Sequence, residues 1–229
     1  MQSVRFDSFS KSNSVGPNHA ENQDSFLVDV DLLFAVADGV GGYSGAKEAS
    51  SIAVQMLAKN ASQIIDENSL ADSIREVNDR IIKRSRELHF PNMGTTVAIA
   101  KVLPHERTVI TGNVGDSPIL LFRGNSMESI YADDSHRSYD PFSMYGIIQY
   151  LGFEQKLDIH TQTFHYISGD TLLICSDGIT DNLLNSSGGK ERLVSLVKFG
   201  SAEKIVNAAL DEGLKPDDMT AVMVFLTSQ

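Results

Sequence analysis

The stretch Leu32-Leu33-Phe34-Ala35-Val36-Ala37-Asp38-Gly39-Val40-Gly41-Gly42 runs an apolar segment of strand length straight into an aspartate and a glycine-dense loop. An aspartate at a strand end is rigidly placed, and the adjacent glycine lets a backbone carbonyl approach a ligand closely. The same setting recurs along the chain. Asp177 follows the apolar run 172–175, with Gly178 next; Asp116 lies in Gly112-Asn113-Val114-Gly115-Asp116-Ser117, between two strand candidates; Pro216-Asp217-Asp218-Met219-Thr220 introduces the last strand. Taken singly, Asp-Gly is a favoured turn pair and says nothing about function. As a set, clustered carboxylates would repel one another unless protonated or neutralised, and hard dications neutralise them well.

Outward from these corners the pattern is strand-rich. Residues 4–9, 25–30 and 32–37 read as strands, the last two joined by a tight turn through Asp31. Ala46, Ala49, Ala53, Met56 and Leu57 recur at helical spacing, as do Leu70, Ile74, Val77 and Ile81, with Asn68 or Ser69 as candidate cap. Strand character returns at 95–102, 108–114, 118–123 and 125–131, then at 157–164, 171–175 and 220–226, with helices at 192–199 and 202–212. The segment 133–152 is polar and irregular and reads as a mobile surface stretch. Helical pairs separating groups of strands joined by short turns indicate an α+β layered domain rather than alternating βαβ units.

Composition narrows the function classes. The 229 residues are 41% hydrophobic and 21% charged, ordinary for a globular chain that needs neither disulfide nor structural metal to fold. The net charge of -11 disfavours nucleic acid and anionic membranes as partners. It is compatible with chemistry on phosphate only if part of the acid holds dications, which invert the local electrostatics. The single cysteine, Cys175, lies in an apolar run and reads as an inert buried thiol. Residues 1–10 hold no apolar core of signal-peptide length, and no segment approaches the roughly 20 apolar residues of a membrane span, so a cytoplasmic location is expected.

Asn22-Gln23-Asp24, Asp38-Gly39-Val40-Gly41-Gly42, Gly94-Thr95-Thr96, Gly112-Asn113-Val114-Gly115-Asp116-Ser117, Cys175-Ser176-Asp177-Gly178-Ile179-Thr180-Asp181 and Asp217-Asp218-Met219-Thr220 together resemble the bacterial-like protein phosphatase 2C (PPM) family of metal-dependent serine/threonine phosphatases. The blocks stand in the family's order and span essentially the whole chain. The resemblance implies a four-layer αββα sandwich, two packed antiparallel sheets flanked by helices on both outer faces, formed by residues 1–229 as one catalytic domain with 133–152 as a shortened flap. Two Mn2+ or Mg2+ ions, with a possible third, would lie at one end of the sandwich.

Carried over position by position, Asp38 would bridge both metals and the Gly39 carbonyl would bind one of them, while Asp177 and Asp217 complete the shell of the other. Asp116, with Asp177 or Asp181, matches a third and weaker site. Asp24 matches a residue that binds metal-bound water, and Asp218 takes a place usually held by asparagine. The chemistry explains the residue types: two cations about 3.5–4 Å apart can hold a bridging hydroxide in line with the leaving oxygen and neutralise the phosphoryl oxygens. All-oxygen ligands favour magnesium or manganese over zinc or copper.

Three departures stand out. His19 occupies the place of the family's phosphate-clamping arginine; it can donate to phosphate but lacks the bidentate fork, and it reads equally as a surface residue. Lys11 or Arg5 are alternative clamps. Val40 replaces a histidine proposed as general acid in many eukaryotic members; His136 reads either as a substitute or as a solvated loop histidine. Pro118 stands where arginine commonly follows the Gly-Asp-Ser block. Nucleophile-elbow, dinucleotide-binding, P-loop and helical zinc patterns are all missing.

The expected function is hydrolysis of phosphoserine and phosphothreonine in proteins by a monomer linked to a serine/threonine kinase. A catalytically dead relative acting as a binding module is the alternative, and a phosphatase of small phosphomonoesters a third reading.

Overall fold

The computed structural model of the protein describes residues 4–12, 21–28, 31–40, 45–136 and 146–227. Its elements run β1 Val4–Ser12, β2 Ser25–Val28, β3 Leu33–Ala37, α1 Ala46–Asn60, α2 Glu67–Leu88, β4 Val97–Leu103, β5 Thr108–Val114, β6 Ile119–Arg123 and β7 Ser126–Ser129. They continue with β8 Ser135–His136, β9 Gly146–Ile147, β10 His160–His165, β11 Asp170–Cys175, α3 Asp177–Leu183, α4 Gly189–Phe199, α5 Ala202–Glu212 and β12 Asp218–Leu226. One five-stranded sheet has the order β1-β12-β11-β6-β7, the other β10-β5-β4-β3-β2, and β8 pairs with β9 in a small third sheet. Neighbouring strands pair antiparallel.

Side-chain alternation along the strands turns this topology into four layers. Phe34 and Val36 of β3, Ala98 and Ala100 of β4, Leu172 and Ile174 of β11 and Val222 and Val224 of β12 form the apolar layer between the sheets. Their neighbours point the other way. Leu33, Ala35, Val97 and Ile99 pack against Ala49, Ala53 and Leu57 of α1 and Leu70, Ile74 and Ile81 of α2. Leu173, Cys175, Ala221 and Met223 pack against Ile179, Leu183, Leu193, Ile205 and Ala209 of α3, α4 and α5. The central strands carry apolar residues on both faces because both faces are covered. This is the α+β sandwich expected from the family resemblance.

Local readings fared unevenly. The α2 cap is Asp66, whose carboxylate accepts from the Ser69 backbone N–H while Ser69 Oγ takes the Asp66 N–H. The sequence had pointed to Asn68 or Ser69; the reciprocal capping box begins one residue before the helix. The short helix α3 was missed, since its seven residues are too few to show helical periodicity. Burial pushes the Cys175 thiol well above its ordinary value, in keeping with an inert side chain. No helix of the described residues is long and apolar enough to cross a membrane.

Candidate metal centre

The antiparallel order brings distant aspartates to one end of the sandwich. β3 and β5 both run antiparallel to β4 between them, so they end on the same side and deliver Asp38 and Asp116 there. In the facing sheet β11 runs antiparallel to β12, so the exit of one lies beside the entry of the other. Asp177 opens α3 after β11, and Asp217 immediately precedes β12.

The first corner is held by a compact set of hydrogen bonds. The Asp38 carbonyl accepts from Thr96 N at 2.8 Å and Thr95 Oγ1 at 2.7 Å, and Asp38 N donates to Thr96 Oγ1 at 3.1 Å. The two Asp-Gly glycines are required by close approach. A Cβ on Gly39 would sit 2.8 Å from the Ala46 and Gln23 carbonyl oxygens; one on Gly178 would sit 2.5 Å from the Asp218 carbonyl oxygen. Each therefore lets a carboxylate-bearing turn press against a neighbouring segment.

Behind Asp38 lies a buried polar layer. Asp24 is 3% exposed and accepts from Thr220 Oγ1 at 2.6 Å; Asp218 is 5% exposed and accepts from Gln23 N at 2.7 Å. Asp24 Oδ1 and Asp218 Oδ1 are buried and lack a hydrogen-bond partner. Asp134, at the base of the 133–152 segment, accepts from Gly115 N at 2.9 Å and Gln149 Nε2 at 2.8 Å, and its Oδ1 lies 3.2 Å from His160 Nε2. That tie anchors the turn carrying Asp116, and no motif pointed to it.

The electrostatics are those of uncompensated acid. Burial, followed by the charges of Asp24, Asp177, Asp217 and Asp116, holds the Asp38 carboxyl well above the usual carboxylate range. Burial and then Asp177 push Asp116 to about 7. Asp24 also rises to about 7, chiefly through burial and against the lowering effect of its Thr220 hydrogen bond. Asp177 reaches about 6, with burial first and the opposing pull of Lys215 second. The Lys215 ammonium lies 2.5 Å from Asp177 Oδ2 and 3.0 Å from both Asp181 Oδ2 and Asp217 Oδ2. Sequence reading missed this lysine, although a basic residue two places before Asp217 was its visible signal.

Among the described residues, no three acidic, histidine or cysteine side chains form a ready-made ion cage. The donor set nevertheless suits a hard divalent cation. It is all oxygen, it carries charge that the protein does not fully neutralise, and it includes two buried carboxylate oxygens without partners.

Residues 16–215 match the family described as protein phosphatase 2C. The chain belongs to the protein phosphatase 2C family. It is 30% identical over 170 residues to the serine/threonine phosphatase stp of Listeria welshimeri, covering 65% of this chain and 67% of that one. It is 26% identical over 244 residues to protein phosphatase PhpP of Streptococcus pneumoniae, covering 94% and 96%. The fold superposes on the catalytic domain of the serine threonine protein phosphatase PstP, solved with two manganese ions, with a TM-score of 0.81, 24% identity and coverage of 98% and 99%.

Other expected site residues of this protein phosphatase 2C member are placed as follows. His19, Gly41 and Gly42 lie outside the described residues. Arg5 sits near the far end of β1, its guanidinium 5.6 Å from the Phe225 ring centroid, which removes it as a clamp. Lys11 pairs with Met219 at the carboxylate end. Val40 N donates to the Gly94 carbonyl at 3.0 Å, and Pro118 O accepts from Cys175 N at 3.1 Å.

Proposed function

We propose that this protein phosphatase 2C member hydrolyses phosphoserine and phosphothreonine esters of proteins at a centre of two Mn2+ or Mg2+ ions, in a single catalytic domain of residues 1–229. The observation that carries this reading is the convergence of Asp24, Asp38, Asp116, Asp177 and Asp217 at one end of the sandwich, with burial and mutual repulsion raising Asp24, Asp38, Asp116 and Asp177. Folding leaves that charge short of a counter-cation.

Asp38, the Gly39 carbonyl, Asp177 and Asp217 would hold the pair of ions, and Asp116 with Asp181 a weaker third position. When bound, the ions supply acidification of water and neutralisation of phosphoryl oxygens. The chain's own part is positional. Thr95 and Thr96 fix the Asp38 turn, and Thr220 orients Asp24. Asp24 Oδ1 and Asp218 Oδ1 are left to accept hydrogen bonds from water in the centre. His19 is the proposed contact to substrate phosphate, with Lys11 at the same end of the fold as its alternative. The segment 133–152 acts as a shortened flap, and the protein works as a cytoplasmic monomer opposed to a serine/threonine kinase.

The test is turnover of a phosphothreonine peptide and of para-nitrophenyl phosphate by purified protein with and without Mn2+. Both activities are expected with the metal and neither with chelator, and Asp38→Ala should abolish both. Tight Mn2+ binding with no turnover of either substrate would replace this reading by that of a pseudophosphatase binding module.

A further inference from the structure

The position of Lys215 is built rather than incidental. Asn182, fully buried in α3, donates from Nδ2 to the Lys215 carbonyl at 2.9 Å and accepts the Lys215 N–H on Oδ1 at 2.8 Å. This two-point clamp fixes the lysine backbone against the helix that carries Asp177 and Asp181. Those two residues are four apart and so share one helix face. An ammonium has three donors, and three carboxylate oxygens, from Asp177, Asp181 and Asp217, stand 2.5–3.0 Å from it. The lysine side chain is 39% exposed, so it has an open path to solvent.

We propose that Lys215 is a tethered counter-cation of the metal centre, filling an outer position among Asp177, Asp181 and Asp217 that a divalent ion would otherwise take. The inference rests on the proposed metal centre and adds a competition to it. With the lysine in place, its three carboxylates share one counter-charge without metal, and an ion entering on that side must displace the ammonium into solvent. Lys215 thus weakens divalent occupancy of the outer position and keeps the acidic end of the metal-free fold together. It is a positioning residue.

The experiment is a calorimetric Mn2+ titration of chelator-treated wild type, Lys215→Met and Lys215→Arg, with thermal unfolding of each in EDTA. Lys215→Met should bind one additional ion, or bind its weakest ion roughly tenfold more tightly. It should also unfold at a lower temperature than wild type in EDTA, a gap that millimolar Mn2+ closes. Lys215→Arg keeps the charge and should follow wild type. If Lys215→Met does not fold without metal, Lys215→Gln gives the same titration with a side chain that still hydrogen-bonds. Superimposable isotherms for wild type and the neutral variants overturn the role of Lys215 while leaving the metal centre standing. Absence of Mn2+ binding in every chain overturns both.

Discussion

Strand β11 has a buried carboxylate at one end and a partly buried one just past the other, and they behave in opposite ways. Asp170, at the entry, is 1% exposed and meets Arg123 through two hydrogen bonds of 2.9 and 2.7 Å while accepting the Ile167 N–H at 2.9 Å. Its charge is answered within the fold. Asp177, just past the exit, faces Asp217, Asp181 and Asp116, and among the described residues Lys215 opposes them. A buried carboxylate with a bidentate arginine is architecture; carboxylates left facing one another are a demand for a cation. Burial alone does not separate the two, whereas the partner does.

The contrast can be broken by removing each partner. Arg123→Ala strands Asp170 in the apolar sheet and should cost about 3 kcal/mol of stability, seen in urea unfolding, with Mn2+ affinity unchanged. A matching loss of metal binding would show that the two ends are not independent. Asp177→Asn should act in reverse. Mn2+ affinity is expected to fall by roughly 100-fold, read by calorimetry. The metal-free chain at pH 8 should be no less stable than wild type, because the removed charge was already disfavoured.

Proton linkage sharpens the same point. Asp24 and Asp116 are raised to about 7 and Asp177 to about 6 from an ordinary value of 3.8, so between these limits the folded chain binds more protons than the unfolded one. The contribution of these groups to the stability of the metal-free protein is therefore full below about pH 4 and is lost as pH rises through 6 to 7. Unfolding in EDTA across this range should reveal the decline, and Mn2+ should flatten it. A metal-free stability that rises with pH would contradict the repulsion at the acidic end. As the smallest effect, Asp66→Ala removes an exposed helix cap and should cost about 1 kcal/mol with no change in metal binding.

Much of the sandwich is legible in the sequence. The runs 32–37 and 171–175 read as strands because they are continuously apolar, and they are so because helices cover one face and the opposite sheet covers the other. Asp38, Asp116, Asp177 and Asp217 could be singled out because each follows or precedes such a run beside a glycine or a turn. Lys215 left no more than its basic character two places before Asp217 as a signal, since its meaning depends on Asn182 and on two residues of a helix too short to leave a periodic signature. The Asp134 tie to Gly115 and His160 was hidden likewise, because its members are far apart in sequence and belong to no repeating pattern.

By itself the sequence determined most of the strand and helix order, though not α3, together with the family and the aspartates at the strand ends, because local periodicity and short blocks carry that information. Only the tertiary structure decided which carboxylates confront one another, which are answered by an arginine and which by a lysine. Charges interact across space, and chain order does not record the distances between them.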